Sequence, residues 1–126
     1  MNHLNKSKGF VRNHSTGRSV CESTELATSF LCRLQGLLGR RDLARNAGLW
    51  LCPSSGIHTF GMKFSIDVVS LNKEMEIVGL AQHVPPWRIA GGGRRVHSIL
   101  ELPGGSIELT LLRIGQRLVI TACPSS

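Results

Sequence analysis

A chain of 126 residues suits one domain and leaves little room for two. With 41% hydrophobic and 18% charged residues it is not a disordered polymer, and no run approaches the ~20 apolar residues of a membrane span. The net charge of +7 raises the question of an anionic partner, yet no aromatic residue interleaves with the arginines and tyrosine is absent, so nucleic-acid binding is not favoured.

In chain order, residues 1–9 read as a flexible basic N-terminal tail and residues 10–126 as a single β-rich domain. Phe10-Val11-Arg12 and Arg18 to Cys21 are spaced to pair as a hairpin around the turn-rich Asn13 to Gly17. From Leu26 to Leu38 the period changes. Phe30, Leu31, Leu34, Leu37 and Leu38 recur at helical spacing, with Thr28 or Ser29 as cap and Gly39 as terminator. Gly48 to Leu51 reads as a short strand, stopped by Cys52-Pro53-Ser54-Ser55-Gly56. A second strand is expected from Ile57 through Met62 and a third from Ile66 to Leu71, turning at Asn72-Lys73-Glu74 into Met75 to Leu80. His83 to Arg95 is the longest irregular stretch, and loops of that length are usually functional or disordered. Val96 to Leu102 returns to strand, Pro103-Gly104-Gly105 breaks it, Ser106 can cap a short helix bearing Glu108, and Leu118 to Thr121 closes the fold. The sum is a mainly β protein with two short helices: a jelly-roll-like antiparallel sandwich or an open barrel.

Four cysteines, Cys21, Cys32, Cys52 and Cys123, include no Cys-x-x-Cys pair, so no metal site is expected. The N-terminus lacks the apolar stretch of about 7 to 15 residues that a secretory signal needs. The expectation is a cytoplasmic protein whose thiols stay reduced.

The segment Ile57 to Val69 carries His58, Lys63 and Asp67 in an apolar setting, where charges are rarely buried unpartnered. In an extended strand, His58, Phe60, Met62 and Phe64 share one face, and Thr59, Gly61, Lys63, Ser65 and Asp67 the other. Lys63 and Asp67 then lie ~13 Å apart, too far to pair without a bend at Ser65. Glu101, between Leu100 and Leu102, is sent by alternation to the face opposite both. An Asp67–Glu101 carboxylate pair would permit acid/base chemistry if the two converge. Cys52, six residues before His58, is a second pairing of nucleophile and base, with nothing in the sequence to activate the thiol. Gly91-Gly92-Gly93-Arg94-Arg95 resembles a phosphate cradle only loosely, because it leads into a strand and not a helix. Trp87, between Pro86 and Arg88, is either a stacking face at a loop tip or a cover folded over the core.

The stretch Gly36-Leu37-Leu38-Gly39-Arg40, then Gly48-Leu49, then His58 to Val69, Val84-Pro85-Pro86-Trp87, Leu100 to Gly105 and Ile114-Gly115-Gln116-Arg117-Leu118 resembles, in this order, the family called domain of unknown function 192. The resemblance covers about residues 20 to 121. It implies a compact jelly-roll-like β fold with short helices, and it brings no established reaction, cofactor or partner. Two positions depart from the family pattern: Met75 stands where glycine is common, and Gln116 where aspartate is usual. Many relatives also carry an export signal, which this chain does not show.

The expected function is a non-enzymatic binding module for a polar or anionic ligand or a protein partner, with ligand-binding candidates His58, Lys63, Asp67, Trp87, Arg88 and Glu101. No catalytic residue and no cofactor is assigned. The alternatives are an acid/base enzyme using Asp67, Glu101 and His58, and a nucleic-acid binder using its basic groups.

Overall fold

The computed structural model describes residues 7–28 and 43–123. Nine strands and a one-turn helix are found there: β1 (Ser7–Asn13), β2 (Ser19–Ala27), β3 (Ala47–Leu51), β4 (Ile57–His58), β5 (Ile66–Leu71), β6 (Ile77–Val84), β7 (Ile89–Ala90), β8 (Ser98–Pro103), the helix Ser106–Leu109, and β9 (Leu118–Ala122). Seven strands form one sheet in the order β6-β5-β8-β3-β2-β1-β9, while β4 and β7 pair as a separate ribbon. Among the described residues only β2 and β3 run parallel; the other pairs are antiparallel.

Asparagine side chains build both principal hairpins. Asn13 Oδ1 accepts from Ser15 N at 2.9 Å and Thr16 N at 3.3 Å. Asn72 Oδ1 accepts from Glu74 N at 3.0 Å and Glu76 N at 2.9 Å. Each side chain imitates a backbone acceptor and so fixes the turn. The sheet curls until its two edge strands meet at one end. There Glu76 bridges Arg117, Ile77 N donates to Gln116 O at 2.8 Å, and Leu118 N donates to Met75 O at 2.9 Å. The result is a mainly β half-barrel, the open-barrel form of the expected fold.

Strand alternation divides the interior in two. Val69, Leu71, Leu100, Leu102, Val11 and Leu118 pack with Ile107 and Leu112 on the helix side. Ile66, Val68, Ile99, Leu49 and Leu51 pack with Met62, Ile57 and Ala90 on the ribbon side. Central strand β5 is buried at all six positions, because neighbours flank it and layers cover both its faces.

Several boundaries move. Ser7 to Gly9, read as tail, belong to β1, where Ser7 registers with Leu26. Leu26 and Ala27, read as helix, continue β2; the expected helical positions Phe30 to Leu38 lie outside the described residues. The strand expected over Ile57–Met62 ends at His58. The strand expected over Met75–Leu80 is shifted to Ile77–Val84, and β7 interrupts the loop expected over 83–95. Ser106 does not cap its helix: its Oγ donates back to Pro103 O at 2.6 Å, and the cap position is Gly105, at φ 93°.

Both family departures have a structural answer. Gln116 Oε1 accepts from Asn13 Nδ2 at 2.9 Å and from Arg113 N at 2.8 Å, work that any side-chain oxygen at this place can do. Met75 sits at φ 63°, in the left-handed region that favours glycine. Its side chain packs partly against the helix-side core. Met75→Ala removes that packing and keeps the Cβ strain, whereas Met75→Gly removes both. The usual ranking should therefore invert, with the glycine variant about 1 kcal/mol more stable than the alanine variant in urea denaturation.

Candidate functional site

The β4–β7 ribbon is the most distinctive surface element. Ile57 registers with Ala90 and His58 with Ile89. Beyond this pair the chain turns back through Gly61, at φ 81°, and Met62 N donates to Thr59 O at 3.1 Å. Thr59 is fully buried and ties the two sides together. Its hydroxyl donates to Pro85 O at 2.7 Å and accepts from Arg88 N at 2.9 Å. Its amide donates to Arg88 O at 2.8 Å, and its carbonyl accepts from Trp87 N at 3.1 Å.

This staple projects an aromatic ledge. Trp87 is 65% exposed and Phe60 41%, their rings stacked with centroids 5.7 Å apart and planes 23° apart. His58 continues the row, with its centroid 4.9 Å from that of Phe60, and its Nδ1 accepts from Phe60 N at 3.2 Å. Ile89 stands beside them at 78% exposure. Arg88 is exposed, and its guanidinium donates to Trp87 O at 3.3 Å. Trp87 is also at φ 66°, a left-handed conformation that is strained for so bulky a side chain. It does not fold over the core.

The sequence candidates separate into two groups. His58, Trp87 and Arg88 meet on the ribbon, and Lys63 is exposed in the segment that follows its turn. Asp67 and Glu101 are buried in the sheet. Asp67 Oδ1 accepts from His83 N at 2.9 Å, and Oδ2 accepts from Ile107 N at 2.8 Å. The carboxylate thus caps the helix that Gly105 cannot cap, and fixes the end of β6. Alternation puts Asp67 on one face with Lys63 and Ser65, which are exposed, but Asp67 lies in the dry interior.

Cross-strand partners share a face and successive residues alternate. Asp67 registers with Leu102, and Glu101 with Val68. The two carboxylates therefore point to opposite faces of the sheet, and the acid/base pair does not assemble. Glu101 does lie opposite Leu100 and Leu102, as alternation requires. The face assignment for 57–67 fails because it presumes an extended strand. Phe60, assigned with Met62 and Phe64, points outward, while Met62 is buried. Phe60 and Ile89 on the ribbon surface, and Thr59 beneath them, are not among the sequence candidates. The signals for them were Gly61 directly after Phe60 and the Pro85-Pro86 pair opposite.

A cleft of about 200 Å³ opens between β6 and the glycine-rich segment, lined by Ser70, Gly79, Ala81, Gly91, Gly92 and Val96 among others. Ser70 Oγ donates to Gly91 O at 2.9 Å and seats that segment on the sheet. Among the described residues there is no group of three or more His, Cys, Asp or Glu that could hold a metal. Cys21 and Cys123 are free thiols. Burial pushes the Cys21 thiol up from its ordinary range and keeps it protonated.

A small curled β-sheet with a stapled surface ribbon is therefore the class that fold and site define. The family model of DUF192, described as an uncharacterized ACR group, matches residues 11–120. The chain belongs to this family. A UPF0127 protein of Pyrococcus furiosus is 30% identical over 111 residues, covering 84% of this chain and 93% of that protein. Another, of Thermococcus sibiricus, is 33% identical over 122 residues, covering 91% and 71%. Two solved structures share the fold. A Sinorhizobium meliloti protein described as a candidate transcription regulator superposes with TM-score 0.78 at 23% identity, over 95% of this chain and 97% of that one. A protein of unknown function from Novosphingobium aromaticivorans gives 0.77 at 17% identity, over 94% and 90%.

Proposed function

We propose that the protein is a small binding module whose recognition element is the ribbon tip carrying Trp87, Phe60, His58, Arg88 and Lys63. One observation carries this reading: Trp87 is poorly suited to its place on grounds of stability. Burying a Trp is among the larger gains available to a fold, and here most of that surface stays in water. A left-handed backbone costs a bulky residue of the order of 1–2 kcal/mol, which glycine would avoid. A strained, exposed aromatic held by a buried staple fits a surface made for contact. Trp and Arg are also the residues that most often dominate binding energy at interfaces.

Asp67 and Glu101 have no part in this site; their burial on opposite faces of the sheet speaks for structural work. The description of the Sinorhizobium meliloti protein raises nucleic-acid binding as a rival, but along the chain Trp87-Arg88 is the one adjacent aromatic–arginine pair and no longer interleaved series follows it.

The test is capture from a whole-cell extract, membranes included, by immobilised wild-type protein and by Trp87→Ala. The variant should unfold within about 1 kcal/mol of the parent, having lost little more than the stack on Phe60, and should retain none of the parent's specific capture. Equal capture by both proteins would remove the tip from the function.

A further inference from the structure

Resting on this reading of the tip as a docking element, we infer that the surface it engages is an anionic lipid bilayer. The first ground is the state of the tip's main chain. The N–H groups of Thr59, Phe60, Met62, Trp87 and Arg88 are donated within the tip, Pro85 and Pro86 have none to offer, and the exposed Gly61 at the turn keeps its own N–H for outside partners. N–H groups satisfied in this way approach an apolar phase at a smaller penalty than those of an ordinary loop. A protein partner reading this ribbon would find few main-chain donors left to pair with.

The second ground is what the tip presents. Trp87, Phe60 and Ile89 project apolar surface, and Pro85 is exposed with them. Tryptophan beside aliphatic residues is the composition that settles at the level of lipid headgroups.

Charge supplies the third ground. Residues 52–65 and 84–97 carry Lys63, Arg88, Arg94 and Arg95 and no aspartate or glutamate. All four cations are exposed. Each is attracted to an anionic leaflet within a Debye length of it. No helix of the described residues is long and apolar enough to cross a membrane. The inferred contact is peripheral, with the aromatic ledge entering the interface and the exposed Lys63 and Arg88 beside it.

The experiment is co-sedimentation of the full chain with vesicles of phosphatidylcholine plus phosphatidylglycerol, against phosphatidylcholine alone, while tryptophan emission is followed. Binding to the anionic vesicles should exceed binding to the neutral ones, fall with added salt, and shift the emission to the blue. Trp50, half-buried against the core, supplies a constant background, so the shift should vanish in Trp87→Phe while binding largely persists. Trp87→Ala should lower the partition coefficient about tenfold or more, and Lys63→Ala with Arg88→Ala by a similar factor. Equal partition of Trp87→Ala and the parent would overturn the inference, as would binding without a change in emission. Binding to soluble polyglutamate that needs Trp87, with no binding to vesicles, would overturn it too while leaving the docking role of the tip intact. Capture that is indifferent to Trp87 in both the extract and the vesicle assay would remove both readings.

Discussion

Asp67→Asn is expected to destabilise the protein by about 2–4 kcal/mol, more than any conservative change on its surface. The substitution keeps volume and shape, so it leaves no cavity. It replaces one of two acceptor oxygens with an NH₂ donor. Both oxygens are in use, one by His83 N and one by Ile107 N. Whichever way the new amide turns, a donor faces a donor in a site with no solvent exposure. The Ile107 bond is the one that cannot be replaced by water, since it lies in the buried layer under the helix. Asp67→Ala should do at least as much damage, because it frees both N–H groups. Urea denaturation followed by far-ultraviolet circular dichroism measures either variant. A loss below about 1 kcal/mol for both would mean that the carboxylate is not a keystone and would reopen its candidacy for function.

The second large effect concerns Thr59→Val. Threonine and valine have nearly the same shape, so the change removes one oxygen and little else. That oxygen donates to Pro85 O and accepts from Arg88 N. Both groups are main-chain, and both lose their partner at a fully buried position. The expected loss is about 1–3 kcal/mol. Its distribution is more telling than its size. The sheet and both core clusters are untouched, so the damage should concentrate in the ribbon. Hydrogen exchange should accelerate at Trp87 and Arg88 amides while β5 and β8 remain protected. Uniform acceleration across the sheet would show instead that the ribbon and the sheet open as one unit.

Much of the sheet was legible in the sequence because its signals are local. Ile66 to Leu71 is a short apolar run between turn residues, and the structure places β5 on the same six residues. The Asn13 and Asn72 turns announced their hairpins through side chains that bond two to four residues away. Glu101 followed alternation because β8 is a regular strand between two others. The ribbon was not legible in the same way. Thr59 meets Pro85 and Arg88 across 26 and 29 residues, and no local pattern encodes such contacts. Parity therefore grouped Phe60 with Met62 on one face, although the strand ends before the turn at Gly61 and the two part. Asp67 was misread for a related reason. A carboxylate in a strand suggests a wet face, but its partners lie 16 and 40 residues away, and they make a dry site tolerable. Trp87 was legible as a choice between tip and cover, and the backbone at φ 66° with 65% exposure decides for the tip.

If Trp87 stands at the tip for contact with something outside the molecule and not to hold the fold together, its removal should leave the fold stable. Urea denaturation of Trp87→Gly tests it most directly. Glycine relieves the left-handed strain, and that gain offsets the lost stack on Phe60 and the added freedom of the unfolded chain. The unfolding free energy should stay within about 1 kcal/mol of the parent's. A loss of about 3–5 kcal/mol, the range for removal of a buried tryptophan, would contradict it.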